Sequence, residues 1–185
     1  MSVLAENFED IFSINPDFEL PEFRTIRLAV KEVIEKITAT ASVYPFYELE
    51  FDPNTLLRKV TPLLKGKGAD QEIFHAWMCG ITSARIKRGE AGEGEFAGNY
   101  AFTFELTLEI EGFFDINSDD PYQTAENESE KITTLFFFNQ DRILDNVHFG
   151  QLDFNSIDEE YFADGNKLVV VSGSCLVDFQ ITIEA

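Results

Sequence analysis

The chain has 185 residues, and its 34 acidic and 14 basic side chains give it a net charge of −20. This length suits one domain with a sizeable core, and an apolar fraction of 44% that includes 19 phenylalanines argues against a disordered chain. Because so acidic a surface repels phosphate groups, the composition disfavours specific binding to nucleic acid and docking on anionic membranes.

The acidity has two interpretations. Solubility is the ordinary one, and the alternative is a surface that meets a basic partner or lets nucleic acid pass without adhering. Residues 1–10 lack the basic and apolar regions of a signal peptide, so we expect an intracellular protein. Cys79 and Cys175 form no metal or redox motif, and we expect buried free thiols, with a disulfide between them as the alternative.

Residues 1–20 are predicted to form an apolar arm in front of a single domain that spans residues 21–185. The arm has no clear periodicity, yet its large apolar side chains include Phe8, Ile11, Phe12, Ile14 and Phe18. Such side chains are costly to leave in water, so we expect the arm to pack on its own domain or on a neighbouring subunit.

A helix is predicted over residues 21–40. Apolar residues recur there at steps of three and four, which places on one stripe Phe23, Ile26, Val30, Val33, Ile34 and Ile37. Pro21 suits the first helical turn, where its missing N–H costs nothing. In the less regular stretch that follows, we expect a short strand over 43–51, a helical turn over 54–64 and a loop at 65–68.

A long β-hairpin is predicted from two segments, 72–87 and 100–111, which flank a glycine-rich loop. In the second segment apolar and polar residues alternate, so its apolar face is predicted to pack under the first helix: Tyr100, Phe102, Phe104, Leu106, Leu108 and Ile110. The opposite face consists mainly of threonine and glutamate, and is therefore predicted to face solvent or a partner.

Pairing of these two strands would bring basic side chains of the first close to glutamates of the second. Such basic and acidic side chains can pair across a subunit boundary as well as within one hairpin. The predicted subunit interface combines these charges with aromatic residues of the arm: Phe8, Phe12, Arg85, Lys87, Glu105 and Glu109.

Residues 115–130 are predicted to be a polar connection, and residues 129–144 a second helix that is capped by Ser129. One stripe of this helix holds Ile132, Leu135, Phe136, Asn139 and Ile143. A strand is the alternative, because residues 133–138 are rich in β-forming side chains.

The run of three phenylalanines at 136–138 is too broad for one amphipathic helix to bury. We therefore expect Phe137 or Phe138 to contact a partner. A helix that lies between the sheet and the arm is the alternative, and it would bury all three rings.

After a loop over residues 152–160, the chain is predicted to close with a long strand, and a short preceding strand that ends at Tyr161 or Phe162 is an alternative for the end of that loop. The apolar residues of the long strand occupy alternate positions: Val169, Val171, Cys175, Val177, Phe179, Ile181 and Ile183. Gly173 interrupts the series, which indicates a bend, a bulge or a close approach by another backbone. Together the elements predict an α+β fold, in which a mostly antiparallel sheet with a long hairpin packs against an N-terminal helix and a second helix.

The sequence shows no residues with the spacing of a catalytic, cofactor-binding or metal site. His75 and His148 lie among apolar residues, where a hydrogen-bonded structural histidine is the commoner outcome. The lone Trp77 is expected in the core rather than as a platform for a ligand. The acidic loop at 117–120 lacks the glycine and the closing glutamate of a calcium loop. The chain is therefore predicted to need no cofactor or metal and not to be an enzyme.

The order of elements resembles that of the tail terminator (tail completion) proteins of long-tailed phages. An apolar arm, a helix, a long hairpin, a second helix and a closing strand follow one another, with segments 41–70 and 145–166 unaccounted for. The resemblance implies a homo-oligomeric ring at the end of a tail tube, with other tail or assembly proteins as partners. Such a subunit would occur in the cytoplasm during assembly and then in a virion or a tail-like particle.

The alternative function is a small-molecule or protein-binding α+β module without catalysis. A sheet wrapped round a helix can enclose an aromatic-lined cavity, and the many phenylalanines and one-sided strands suit that arrangement equally well.

Overall fold

The computed structural model describes residues 23–38, 42–45, 50–59, 75–88, 100–163 and 165–183, and within them the fold is α+β, as predicted. The helices are α1 (Phe23–Ile37) and α2 (Pro121–Phe138). The strands are β1 (Ser42–Pro45), β2 (Glu50–Phe51), β3 (Arg58–Lys59), β4 (His75–Arg88), β5 (Tyr100–Asp115), β6 (His148–Phe149), β7 (Asp153–Tyr161) and β8 (Lys167–Ile183). The arm, with Phe8 and Phe12, lies outside the described residues, and so do the loop at 65–68 and the glycine-rich loop after β4.

The main sheet has the order β1-β4-β5-β8, and β6 and β7 both pair with the far edge of β8. β1 is parallel to β4, whereas the other pairs of this sheet are antiparallel. β4 pairs with β5 along almost its whole length, which confirms the predicted hairpin. β5 pairs with β8 from Tyr100 opposite Ile183 to Asp115 opposite Leu168, so β5 and β8 form the centre of the sheet.

The main core lies between the two helices and one face of the sheet. Leu106, Leu108 and Ile110 of β5 are fully buried and share a cluster with the α1 stripe: Ile26, Val30 and Ile34. The predicted apolar face of β5 is confirmed at these three positions, and burial contributes about 1.5–3 kcal/mol for each such side chain. The covering helix differs in part from the prediction, because α1 packs mainly on β4 and β1, whereas α2 packs on β5, β7 and β8. Toward the start of β5 the cover is thinner, because Phe104 is only partly buried and stacks on Phe179 with ring centroids 4.9 Å apart.

The opposite face of the sheet carries a second, smaller core at one end, although the sequence predicts that face to be polar. Its members are Ala76, Met78, Phe113, Phe162, Leu168 and Val170. The short β2–β3 pair is tied to this side, since the backbone N–H of Ala163 donates to the carbonyl oxygen of Arg58 at 2.8 Å. At this end, therefore, both faces of the sheet are covered.

Between β2 and β3 the chain makes a tight turn, which replaces the predicted helical turn over residues 54–59. The rest of that prediction, residues 60–64, lies outside the described residues. The Asp52 carboxylate accepts hydrogen bonds from the backbone N–H groups two and three residues later, each at 2.9 Å. Leu56 then adopts a left-handed conformation with a φ of 59°. Aspartate favours such turns because its side chain replaces a backbone acceptor. The predicted strand over 43–51 is found as the separate strands β1 and β2.

α2 begins earlier than predicted, so the polar connection over 115–130 is wrong from Pro121 onward. Asp120 caps the helix by accepting a hydrogen bond from the backbone N–H three residues later at 3.3 Å. Ser129, the predicted cap, lies inside the helix and donates to the carbonyl oxygen of Ala125 at 2.7 Å. The apolar pattern does not predict the first half of α2, because its only buried residues are the small Ala125 and Ser129.

The helical interpretation of the phenylalanine run is confirmed, and the strand alternative is wrong. Ile132 and Phe136 are fully buried on the core side of α2. The helix ends at Phe138 instead of continuing to residue 144, and the backbone N–H of Asn139 closes it by donating to the carbonyl oxygen of Phe136 at 3.1 Å.

β7 replaces the predicted loop over 152–160. Phe154 and Ile157 pack against the core, and a register shift next to Phe154 leaves them three positions apart. That bulge removes the alternation of a strand, which explains the error. Gly173 lies opposite Phe154, and a Cβ atom there would lie 2.5 Å from the phenylalanine ring, which confirms the predicted close approach.

Candidate functional site

The four charged candidates of the predicted interface are brought together on the polar face of the hairpin. Arg85 lies directly opposite Glu105, and the Lys87 ammonium donates to the Glu105 carboxylate at 2.5 Å. Glu109 accepts a hydrogen bond from Thr82 at 3.0 Å. These contacts lie within one chain and are exposed, so they contribute about 0–1 kcal/mol each. Phe8 and Phe12 lie outside the described residues and cannot be placed beside them.

The outer edge of β4 is open along its second half. β1 pairs only with residues 76–79 of β4, and no other described strand pairs with this edge. Residues 82–87 are exposed on both faces of the sheet, and Ile86 retains 56% of its accessible surface. A register shift between Ile81 and Ser83 marks the start of this stretch, which we call the open edge. Unpaired backbone groups at an edge strand are a ready template for another strand.

A groove of about 490 Å³ runs between α1 and α2. Its floor is apolar and includes Leu28 and Val33 of α1 together with Leu135 of α2. Lys36 and Arg142 lie at its margin and are exposed, as is Glu32 beside them. We call this feature the interhelix groove. The sequence pattern misses it, because Leu28 lies off the buried stripe of α1 and the two helices are far apart in the chain.

An exposed aromatic pair continues this surface at the end of α2. Phe137 and Phe138 retain 60% and 71% of their accessible surface, and their rings meet edge to face with centroids 5.2 Å apart. A second hollow of about 410 Å³ is lined by Phe138 and shares Leu135 and Asn139 with the interhelix groove. Within the part of the chain that the structure describes neither ring is buried, so both are accessible there to a partner. The alternative, in which the arm buries them, lies outside the described residues.

A partly buried carboxylate of α2 holds two side chains of β4. Glu128 Oε2 accepts a hydrogen bond from the indole N–H of Trp77 at 2.8 Å, and His75 Nε2 lies 2.8 Å from the same oxygen. Trp77 is fully buried, which confirms its place in the core. The sequence does not predict this role of Glu128, because Glu128 is one of many polar residues in the first half of α2. The contact ties α2 to the sheet, because a carboxylate that is largely shielded from water is costly to separate from its two partners.

His148, the second histidine, lies at the surface. Its Nδ1 atom is 2.7 Å from a carboxylate oxygen of the exposed Asp141. The two histidines lie on different strands, β4 and β6, which pair with different neighbours in the sheet. Each ring is therefore paired with its own carboxylate.

Arg58 of β3 forms a clasp across the second core. Its guanidinium donates to both carboxylate oxygens of Glu160 and to Glu111 Oε2, the latter at 2.5 Å. It also lies over the rings of Phe113 and Phe162, 5.3 and 5.7 Å from their centroids. Burial lowers the pKa of Arg58, but the two carboxylates outweigh it and the pKa is raised. The sequence pattern does not reveal this clasp, whose partners are remote in the chain.

Cys79 and Cys175 are free and buried, as expected. Burial raises the pKa of each thiol to about 12, so both are protonated at neutral pH and unsuited to nucleophilic or redox chemistry. Among the described residues, no group of three or more His, Cys, Asp or Glu side chains is arranged to hold a metal ion.

Neither of the two described helices has the length and apolar character needed to cross a membrane. The chain matches no model of a known protein family, and no curated protein matches it either.

Proposed function

We propose that the chain is a structural subunit without catalytic activity that assembles with copies of itself, as expected of a protein that resembles phage tail terminators in element order. The observation that carries this proposal is the open edge of β4. No described strand pairs with this edge beyond residue 79 of β4, and the apolar side chain of Ile86 on it is 56% accessible. Both features favour the addition of a strand from another molecule.

The two sides of the sheet differ in charge, which favours a head-to-tail contact. The open edge carries Arg85 and Lys87, whereas β7, at the other side, carries the exposed Asp153, Asp158 and Glu159. Contacts between unlike patches generate rings when the rotation closes, and unlike charge brings such patches together.

The positions of these patches constrain the assembly. β7 pairs with residues 167–174 of β8, at the end of the sheet where β1 covers β4. The open edge lies at the other end of the sheet. A direct contact between them would stagger neighbouring copies, so that their strands would be inclined to the axis of a ring.

Size-exclusion chromatography with light scattering tests the proposal. We expect a multiple of the chain mass of 21.0 kDa that grows with protein concentration. The net charge of −20 repels like copies, so moderate salt should strengthen assembly relative to low salt. A protein that stays monomeric at high concentration in moderate salt would contradict unaided self-assembly.

A matched pair of variants locates the contact. Ile86→Asp places a negative charge on the open edge and should weaken assembly about tenfold or more, because the proposed partner surface is acidic. Leu56→Asp makes the same kind of change at a residue that is 76% exposed in the β2–β3 turn, and should leave assembly unchanged. Equal effects of the two variants would show that the open edge is not the contact.

A second candidate function is ligand binding without catalysis, which the volume of the interhelix groove favours. It predicts a strict monomer in which small apolar molecules raise the melting temperature. The Val33→Trp variant would fill the groove and should abolish that shift.

A further inference from the structure

The interhelix groove combines an apolar floor with a basic margin, which is unusual in so acidic a chain. Leu28 is 41% exposed at this site although it is a large apolar residue. Lys36 and Arg142 supply two cations at the margin, with Glu32 as the one acidic lining residue. The adjoining hollow adds one cation and one carboxylate, Lys131 and Glu130, and the exposed ring of Phe138, so cations still outnumber carboxylates along the combined lining. A segment that is both acidic and rich in large apolar side chains would complement this surface.

The first twenty residues of the same chain have this composition. They contain five carboxylates, Glu6, Glu9, Asp10, Asp17 and Glu19, and no basic side chain. Their large apolar side chains include Phe8, Ile11, Phe12, Ile14 and Phe18. These residues lie outside the described ones, so their composition, taken from the sequence, is what matches the lining of the groove.

We propose that the interhelix groove is the docking site for residues 1–20 of a second copy of the chain. This inference rests on the proposed self-association and names a contact for it. A segment of twenty residues spans up to about 70 Å when extended, whereas the groove follows α1 from Thr25 to Lys36, a rise of about 17 Å. The segment is therefore long enough to extend to a neighbouring copy and still lie along its groove.

The sequence before α1 favours a neighbouring copy over the chain's own groove. To enter its own groove, the segment would have to reverse direction between the groove and Phe23, where α1 begins. Pro21 disfavours a helical conformation at Leu20, and residues 1–22 contain no glycine that would ease a reversal. The groove of a neighbouring copy can be reached without such a reversal.

Cross-linking of the full-length protein tests this contact. Unlabelled and ¹⁵N-labelled chains are mixed, equilibrated and treated with a carbodiimide, which joins carboxylates to amines that touch them. We expect amide links between carboxylates of residues 1–20 and Lys36, and a large share of them should join a labelled chain to an unlabelled one. The Lys87–Glu105 pair provides an internal standard, because this contact lies within one chain and should give no mixed links.

Two outcomes would overturn the inference. Links to Lys36 that never join labelled to unlabelled chains would show that each chain covers its own groove. Absence of any link between residues 1–20 and Lys36, while the Lys87–Glu105 link forms, would show that this segment does not occupy the groove. Light scattering on the same sample separates this inference from the proposed function. An oligomer without these links defeats only the docking contact, whereas a monomer defeats the proposed self-association, and the docking contact with it.

Charge-reversal variants measure how much the basic residues of the groove margin contribute to self-association. Lys36→Glu and Arg142→Glu should each weaken self-association about tenfold, because they place a carboxylate against the acidic segment. Lys59→Glu makes the same change on β3, away from the groove, and should have less than about a twofold effect. Circular dichroism confirms that each variant is folded. Equal effects of all three would reflect net charge alone and would contradict a specific contact.

Discussion

The two halves of β4 differ in how much of their surface is buried and in whether their outer edge is paired. In the first half, Trp77 and Cys79 are buried on the helix side, Ala76 and Met78 are buried on the other side, and β1 covers the edge. Beyond the register shift at Ile81, residues 82–87 are exposed on both faces. One continuous strand therefore passes from a part that stabilises the fold to a part that is available for contacts. Stability and interaction are separated along its length.

The comparison predicts a large difference in stability between two substitutions of β4. Trp77→Ala removes a fully buried ring that packs edge to face on Phe114 and Phe154, and should lower the free energy of unfolding by roughly 3–5 kcal/mol. Ile86→Ala should lower it by less than about 1 kcal/mol in the same denaturant titration. A comparable loss at Ile86, measured on dilute monomer, would show that the second half of β4 is buried within its own chain.

The covered half also depends on the clasp that closes its second face. Breaking a buried ion pair costs about 3–5 kcal/mol. Because the Glu160 side chain is 34% exposed, we expect Arg58→Met to cost about 1–3 kcal/mol. Lys87→Met breaks the corresponding pair in the exposed half and should cost about 0–1 kcal/mol. If the two losses were equal, the second core would not depend on the clasp.

Thiol chemistry gives the smallest and most local test. Cys79 lies in the covered half, and the pKa of its thiol is raised to about 12, as is that of Cys175. At pH 8 we expect neither to react with an aromatic disulfide reagent in the folded protein, and both to react after unfolding. Ser83→Cys, in the exposed half, should react at once. Rapid reaction of Cys79 in the folded protein would mean that the covered half opens readily.

The raised pKa values of the two thiols determine whether the free energy of unfolding rises or falls with pH. Unfolded thiols lose their protons from about pH 8.5, whereas the folded ones keep them to about pH 12. The unfolded state therefore binds fewer protons in this range, and the free energy of unfolding falls as pH rises from about 9 to 12. The double variant Cys79→Ala/Cys175→Ala should show a smaller decline over that range than the parent protein.

Pattern analysis predicts the elements in which a long run of apolar residues on one face is buried. α1, β5 and β8 fall into this class, since their apolar residues recur at helical or strand spacing. It fails where burial is partial or irregular. β7 has a bulge beside Phe154, and the first half of α2 buries only Ala125 and Ser129. In both cases the structure depends on hydrogen bonds and caps that periodicity does not record.

The candidate site divides in the same way. The grouping of Arg85 and Lys87 with Glu105 follows from the hairpin alone, because the register of two neighbouring strands brings them together. The interhelix groove does not follow from local pattern, since it joins α1 to a helix that begins at Pro121. Arg58 is a similar case, with partners 53 and 102 positions away in the chain. Contacts of this kind become visible only in three dimensions.

The central position of β8 also has a consequence for how the chain folds during synthesis. β8 pairs with β5, β6 and β7, although all three precede it in the chain. Until the ribosome has released β8, the hairpin of β4 and β5 can form, but β5 keeps a bare second edge and β7 has no partner. Contacts between residues so distant in sequence form slowly. A nascent or prematurely terminated chain would therefore expose aggregation-prone strand edges, and we expect it to need a chaperone or to be degraded.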